Sequence, residues 1–134
     1  MKKTNNTIAT IGHSNVSIEL FLKTLIDNKI QVLGDIRTTP LSRFCPHFNQ
    51  KALQRALADK SILYLYRGKN LGGKAHNENY EETIDEISDM VKAGKMVCVM
   101  CSEKSHLKCH RYTVLAPSFE ERGILSVHIQ YDEK

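Results

Sequence analysis

Two thiols, two imidazoles, one carboxylate and three cationic side chains lie within the eleven residues Cys101–Arg111. They directly follow the apolar run Met96–Met100, which is typical of a buried strand in a parallel sheet. Because α/β proteins place their ligands just beyond the carboxyl ends of such strands, we predict the functional site here. The segment offers a soft nucleophile beside cations, and it does not identify a substrate.

Cys101 is one candidate catalytic group, because cations close to it in sequence would favour its thiolate. A Cys followed by an anion-binding loop and an Arg is also the arrangement of Cys-dependent phosphatases and sulfurtransferases. Here nine residues separate Cys101 from Arg111, which is longer than the loop of those enzymes. A buried, unreactive thiol is the alternative.

Metal binding is disfavoured by strand geometry. If Cys98 and Cys101 are both in an extended strand, their side chains point to opposite faces of the sheet. No paired Cys-x-x-Cys motif completes a site with Cys101, His106 and Cys109. We therefore predict no metal and no cofactor.

Anion binding is the interpretation we prefer. A helix predicted to begin near Lys108 would present free amide groups and its positive dipole end beside Cys101, with His110 and Arg111 in its first turn. Arginine makes planar, bidentate contacts with phosphate, so these residues favour a phosphate-bearing or nucleotide-like ligand. The predicted ligand-binding residues are Gly12, Ser14, Asp35, Arg37, Arg43, Lys104, His110 and Arg111.

Proton transfer at such a site would fall to Glu103 or His13, which together with Cys101 are the candidate catalytic residues. His13 has a second interpretation as a hydrogen-bonded anchor of its loop. Asp35, between Gly34 and Ile36, also has two interpretations. It either pairs with Arg37 to shape the loop, or orients a cation that holds substrate.

Apolar runs that alternate with helical periodicity must position these residues. The predicted strands are Thr7–Ile11, Ile30–Ile36, Ile62–Tyr66, Met96–Met100 and Ile124–Ile129. This order predicts a single-domain, three-layer α/β/α sandwich that is Rossmann-like, with a mainly parallel sheet of about five strands and right-handed crossovers. The polar residues that follow each strand should then converge on one edge of the sheet.

The helices between these strands have recognisable ends. Ser17 is a plausible N-cap for a first helix whose apolar face carries Phe21 and Leu25. A third helix, from about Tyr80, can end at Gly94 in a left-handed conformation. The predicted turn after the third strand is Leu71-Gly72-Gly73. In the last helix we predict a break at Pro117 and a restart, because Ser118 and Glu121 have capping-box spacing.

Length and composition restrict the class of protein. With 134 residues, 41% of them hydrophobic, the chain 1–134 matches one ordinary domain. No apolar stretch approaches the ~20 residues that span a bilayer, and Met1–Asn6 does not lead into the apolar segment of a signal peptide. We expect a cytoplasmic protein with no membrane contact, whose four cysteines are reduced thiols.

Charge is unevenly distributed within the net value of +4. Between Arg37 and Lys74 there are eight Lys or Arg residues against Asp59 alone, and Ala75–Gly94 holds six acids against Lys92. A localised cationic stretch attracts phosphate or carboxylate partners. The acidic stretch is more simply a solvated helix face.

The chain resembles the domain-of-unknown-function family 488. The motifs that carry the resemblance, in order, are Thr10–Ser14, Asp35–Arg43, Phe48-Asn49, Leu71–Gly73, and Cys101–Lys104 with Cys109–Arg111. The resemblance implies a compact bacterial or archaeal α/β domain and does not imply a reaction. Ser105-His106, where the family has an acidic residue and proline, and Pro117 depart from the commoner pattern.

Three function classes follow. The first is a protein that binds an anionic small molecule or nucleotide, either as an enzyme that acts on it or without turnover. The second is a nucleic-acid-binding module that uses the cationic stretch, with Phe44, Phe48, Tyr64 and Tyr66 stacking on bases if they are exposed. The third is a thiol-dependent enzyme that uses Cys101. Nothing in the sequence determines the oligomeric state.

Overall fold

A computed structural model describes residues 6–37, 40–41, 45–71, 79–102 and 114–131 of the chain. Its strands are β1 (Asn6–Gly12), β2 (Val32–Asp35), β3 (Leu63–Tyr66), β4 (Val97–Cys101) and β5 (Ile124–His128). Its α-helices are α1 (Ile18–Asp27), α2 (Gln50–Asp59), α3 (Gly68–Leu71), α4 (Tyr80–Lys92) and α5 (Ala116–Glu120), with a short 3₁₀ helix over Pro46–Phe48.

All strand pairs in the sheet are parallel, and the strands lie in the order β3-β2-β4-β1-β5. The late strand β4 is therefore inserted between the two earliest strands. Val99 of β4 lies opposite Thr10 of β1 on one side and Gly34 of β2 on the other. This arrangement brings the carboxyl ends of β1, β4 and β2 next to one another.

Helices cover both faces of the sheet. On one face α1 and α2 bury Phe21 and Leu57 against strand residues that include Leu33. On the other face α4 and α5 bury Ile84 and Phe119 in a second cluster. The predicted α/β fold with a parallel sheet is confirmed.

Alternation along β4 separates two of the cysteines. Cys98 belongs to the cluster under α1 and α2, whereas Cys101 belongs to the cluster under α4 and α5. The predicted placement of these two thiols on opposite faces is confirmed, and it follows from the period of two in a strand.

Two of the predicted helix ends are confirmed. The Ser17 hydroxyl accepts a hydrogen bond from the Leu20 amide at 3.1 Å, so Ser17 is the N-cap of α1. Gly94 follows α4 with a φ of 99°, a conformation that other residues adopt only with strain.

The predicted restart at Ser118 is wrong. Pro117 and Ser118 both lie inside α5, and the Ser118 hydroxyl donates to the carbonyl of Val114 instead of capping the helix. Pro117 occupies the first turn of α5. Amide hydrogens in a first turn have no intrahelical acceptor, so a proline there costs the helix no hydrogen bond. No break after it is required.

A short helix, α3, which was not predicted, lies between β3 and the predicted glycine turn. It includes Leu71, which is fully buried, while Gly72 and Gly73 lie outside the described residues. Gly68 begins α3, and it packs so closely against Arg37 and Tyr66 that a side chain would not fit there.

Ion pairs use part of the acidic stretch. The Arg122 guanidinium contacts Glu81 and Asp85, which joins α4 to the end of α5. Arg67, just after β3, makes a two-pronged contact with Glu86, with nitrogen–oxygen distances of 3.0 and 2.8 Å. Three acids of α4 thus pair with arginines while staying on an exposed helix face.

Within the part of the chain that the structure describes, no helix has the length and hydropathy needed to cross a bilayer.

Candidate functional site

We use the term crevice for the region around the carboxyl ends of β1, β4 and β2, at Gly12–Ser14, Asp35–Arg37 and Cys101-Ser102, which is indicated by the direction in which the chain leaves each strand. From β1 and β2 the chain passes to α1 and α2 on one face of the sheet, and β4 precedes α5 on the opposite face. β4 lies between β1 and β2, so adjacent strands send their connections to opposite faces. In open α/β sheets, crevices of this kind are where ligands bind.

Pairing between β1 and β4 continues into the loops at this edge. The amide of His13 donates to the carbonyl of Cys101, and that of Ser14 to the carbonyl of Ser102, both at 2.9 Å. These contacts hold the segment Gly12–Ser14 against the end of β4. The structure thus brings three sequence-predicted residues, Gly12, His13 and Ser14, beside Cys101.

Ser14 has a backbone conformation that is uncommon for a residue with a side chain, with a φ of 49°. Left-handed residues other than glycine are strained and persist where their surroundings determine them. Three contacts do so here: the Ser14 amide to Ser102, and the Ser14 carbonyl to His13 Nδ1 at 2.7 Å and to the Cys45 thiol at 3.8 Å.

Asp35 and Arg37 form a buried ion pair at the end of β2. Arg37 Nε and Nη2 donate to the two carboxylate oxygens of Asp35 at 2.9 and 2.7 Å. Asp35 is fully buried and Arg37 is 5% exposed, so water screens this pair weakly. Pairing with Arg37 is one of the two interpretations that the sequence allowed, and the orientation of a substrate-holding cation by Asp35 stays a prediction.

Arg37 also faces His13 across the end of β4. Its Nη1 lies 3.4 Å from His13 Nε2. Burial lowers the pKa of His13 to about 4, and the positive charge of Arg37 acts in the same direction. His13 is therefore neutral at pH 7. Since Nδ1 faces the Ser14 carbonyl, Nδ1 carries the proton and Nε2 is left as an acceptor for Arg37.

His13 is packed as well as hydrogen-bonded. Its ring stacks on Phe48 with the centroids 4.4 Å apart and the planes 21° from parallel. These contacts make His13 an anchor of the loop after β1. Its predicted part in proton transfer stays a prediction.

Cys101 lies at the edge of the crevice with its side chain among apolar residues. It is 5% exposed and belongs to the cluster with Val99 and Leu115. Among the residues that the structure describes, no three His, Cys, Asp or Glu side chains are grouped as a metal ion would require.

Several predicted residues cannot be placed. Those that lie outside the described residues are Arg43, Glu103, Lys104, His110 and Arg111, together with the predicted helix start near Lys108.

The structure adds Tyr64, Cys45 and His47 to the site. The Tyr64 hydroxyl donates to Asp35 Oδ2 at 2.7 Å, and His47 Nε2 bonds the carbonyl of Val16 at 2.9 Å. The signal for Tyr64 was present in the sequence, because a tyrosine inside an apolar strand needs a partner for its hydroxyl. The identity of that partner could not be predicted, because Asp35 is 29 residues away in the sequence.

Two of the aromatic residues proposed to stack on bases are not accessible. Phe48 is fully buried and Tyr64 is 9% exposed, with its hydroxyl committed to Asp35. Tyr66 is partly exposed, and Phe44 lies outside the described residues. Base stacking on Phe48 or Tyr64 is therefore excluded in this conformation.

One comparison with known proteins matches the part of the chain that contributes Asp35, Arg37 and Tyr64 to the site. A model of the family Domain of unknown function DUF488 matches residues 17–79. The match confirms the resemblance seen in the sequence, and it includes the motifs Asp35–Arg43, Phe48-Asn49 and Leu71–Gly73. The motifs Thr10–Ser14 and Cys101–Arg111 lie outside the range matched by DUF488. Searches of the curated proteins and of the solved structures found no match.

Proposed function

We propose that the protein binds a phosphate-bearing or nucleotide-like small molecule in the crevice at the carboxyl end of β4. The observation that carries this proposal is the position of β4 between β1 and β2, with connections leaving to opposite faces. Catalysis on the bound ligand by Glu103, His13 or Cys101 is a further step of the same proposal.

The described residues of the crevice carry little net charge. Asp35 balances Arg37, His13 is neutral, and Glu86 balances Arg67. The charge that attracts a phosphate would come from the segments that follow β2 and β4 in sequence, which carry Arg43, Lys104 and Arg111. Arginine suits this role because its guanidinium binds phosphate with two parallel hydrogen bonds.

A nucleic-acid-binding function has less support. Two of the eight cations in the basic stretch, Arg37 and Arg67, are neutralised by carboxylates, and two of its aromatic residues are buried. Salt-dependent binding of oligonucleotides would be the signature of that alternative.

A ligand panel tests the proposal directly. We expect AMP, ATP, inorganic phosphate or a sugar phosphate to raise the free energy of unfolding, by about 2.7 kcal/mol at 100 times the dissociation constant. The double variant Arg43→Gln/Arg111→Gln should weaken that binding by at least about tenfold, since each lost charge-assisted contact contributes about 1.5 kcal/mol or more.

The matched control removes two positive charges at the opposite edge of the sheet. Lys60 caps the carboxyl end of α2 and Lys92 ends α4, and these ends lie at the amino edge because the helices run antiparallel to the strands. Lys60→Gln/Lys92→Gln should leave affinity within about twofold. If no compound in the panel stabilises the protein, or if both double variants bind equally well, the proposed function is wrong.

A further inference from the structure

Tyr64 carries a hydroxyl that packing alone does not require. Its ring lies in the apolar cluster under α1 and α2, where phenylalanine would fill nearly the same space. Burying a hydroxyl is unfavourable unless it forms a hydrogen bond. Burial and the Asp35 carboxylate raise the pKa of the Tyr64 phenol, so the hydroxyl keeps its proton and donates it to Asp35 Oδ2.

Asp35 accepts hydrogen bonds from four donors, two at each oxygen. Three belong to Arg37: the amide and Nε, which lie 3.1 and 2.9 Å from Oδ1, and Nη2, which lies 2.7 Å from Oδ2. The fourth is the Tyr64 hydroxyl at 2.7 Å from Oδ2. Four donors use the acceptor capacity of a carboxylate. Tyr64 thus ties the Asp35 carboxylate to β3 by a side-chain contact, in addition to the backbone pairing of Asp35 with that strand.

The orientation of the Arg37 guanidinium determines which group contacts His13 Nε2. With Nε and Nη2 held by Asp35, the planar guanidinium directs Nη1 towards His13 Nε2. Arginine can only donate, so His13 Nε2 must accept and the proton must reside on Nδ1, where it bonds the carbonyl of Ser14. The contacts therefore run from β3 through β2 to the left-handed residue in the loop after β1.

We propose that Tyr64 is a positioning residue of the crevice: through Asp35 it fixes the Arg37 guanidinium against His13 Nε2, and thereby helps to hold the His13 ring whose Nδ1 bonds the carbonyl of Ser14. This role rests on the proposed function, since it concerns the floor of the same ligand site. A tyrosine used only for packing would leave the ionisation of His13 unchanged when its hydroxyl is removed.

The test is the variant Tyr64→Phe, with the titration of His13 followed by NMR. The charged and titratable groups that act on His13 are Arg37, Asp35 and His47. Once the Asp35 carboxylate loses the Tyr64 donor, the paired Asp35 and Arg37 side chains can shift together and move Nη1 away from His13 Nε2. Because the Arg37 donor and charge favour neutral His13, we expect the pKa of His13 to rise by about one pH unit. The nitrogen chemical shifts should change at Nε2, which loses the Arg37 donor.

Tyr80→Phe is the matched control. The Tyr80 hydroxyl bonds Ser118 at 2.8 Å between α4 and α5, far from His13, so this variant also loses one tyrosine hydrogen bond. It should leave the His13 titration as in the parent protein. An unchanged His13 titration in folded Tyr64→Phe would overturn the positioning role.

AMP binding separates this role from the proposed function. We expect Tyr64→Phe to weaken AMP binding by about threefold to tenfold, and Tyr80→Phe to leave it unchanged. If the parent protein binds no compound of the ligand panel, the proposed function fails, and the His13 titration still decides whether Tyr64 positions Arg37. If AMP binds the parent and Tyr64→Phe equally well, the positioning role is wrong.

Discussion

Gly68 packs against the backbone of Arg37 so closely that a Cβ atom at this position would overlap with the Arg37 carbonyl oxygen. The same Cβ would also overlap with the phenol of Tyr66. The first residue of α3 and the end of the Asp35–Arg37 loop therefore fit together only because residue 68 has no side chain.

Gly68→Ala should consequently destabilise the protein. Backbone cannot yield as a flexible side chain can, and we expect a loss of about 1–3 kcal/mol in the free energy of unfolding, measured by urea denaturation. Gly34→Ala is the control in β2, because a Cβ there would meet Val99 Cγ1 at 3.6 Å, an ordinary contact. Equal losses in both variants would contradict the packing described for Gly68.

Breaking the buried ion pair should be costly. Asp35→Ala leaves the Arg37 charge buried without its carboxylate, and we expect a loss of about 3–5 kcal/mol. Lys23 and Asp27 form an exposed pair on α1, and Asp27→Ala should change stability by no more than about 0.5 kcal/mol. Similar effects of the two substitutions on the urea midpoint would argue against burial of the Asp35–Arg37 pair.

Acid should weaken the fold through His13. Burial lowers the pKa of His13 to about 4 in the native state, against 6.5 in the unfolded chain. Between these values the unfolded state binds the proton and the native state does not, so the free energy of unfolding rises as the pH increases from about 4 to about 6.5. At 1.36 kcal/mol for each pH unit, the expected rise is about 3 kcal/mol.

Unfolding by urea at a series of pH values measures this dependence. His13→Gln removes the titrating group and should flatten the curve in that interval, although it also removes the stacking on Phe48 and lowers stability at neutral pH. A slope that persists unchanged in His13→Gln would show that another group is responsible.

The thiols of β4 should be protected from reagents. Cys98 is fully buried and Cys101 is 5% exposed, so labelling requires the structure to open. In a Cys109→Ser variant we expect alkylation at least roughly a hundredfold slower than in urea-unfolded protein. Fast labelling of Cys101 in the folded variant would instead support a reactive thiolate and a thiol-dependent enzyme.

Local patterns in the sequence predict most of the elements. Ser17 before Phe21 and Leu25 predicts the start of α1, and Gly94 predicts the end of α4. Pro117 was misleading, because a proline within a helical pattern indicates either a break or a first turn, and the sequence alone does not distinguish them.

The order of strands was not predictable from such patterns. All five strands are short apolar runs, and nothing in the composition of Val97–Cys101 indicates that it lies between β1 and β2. The predicted convergence of Gly12–Ser14, Asp35, Arg37 and Cys101 required only that the strands be parallel. To predict the contact of Tyr64 with Asp35, one must also know that β2 and β3 are neighbours and in which register they pair.

The neighbours of β1 also determine when the chain can fold during translation. Among the described strands β1 pairs with β4 and β5, which begin at Val97 and Ile124, so β1 leaves the ribosome long before either partner. Before Val97–Cys101 is synthesised, β2 and β3 can pair with each other, but β1 has neither of the partners that flank it in the described sheet. A nascent chain in that state exposes a strand to chaperones or to other chains, as proteins with distant pairings generally do.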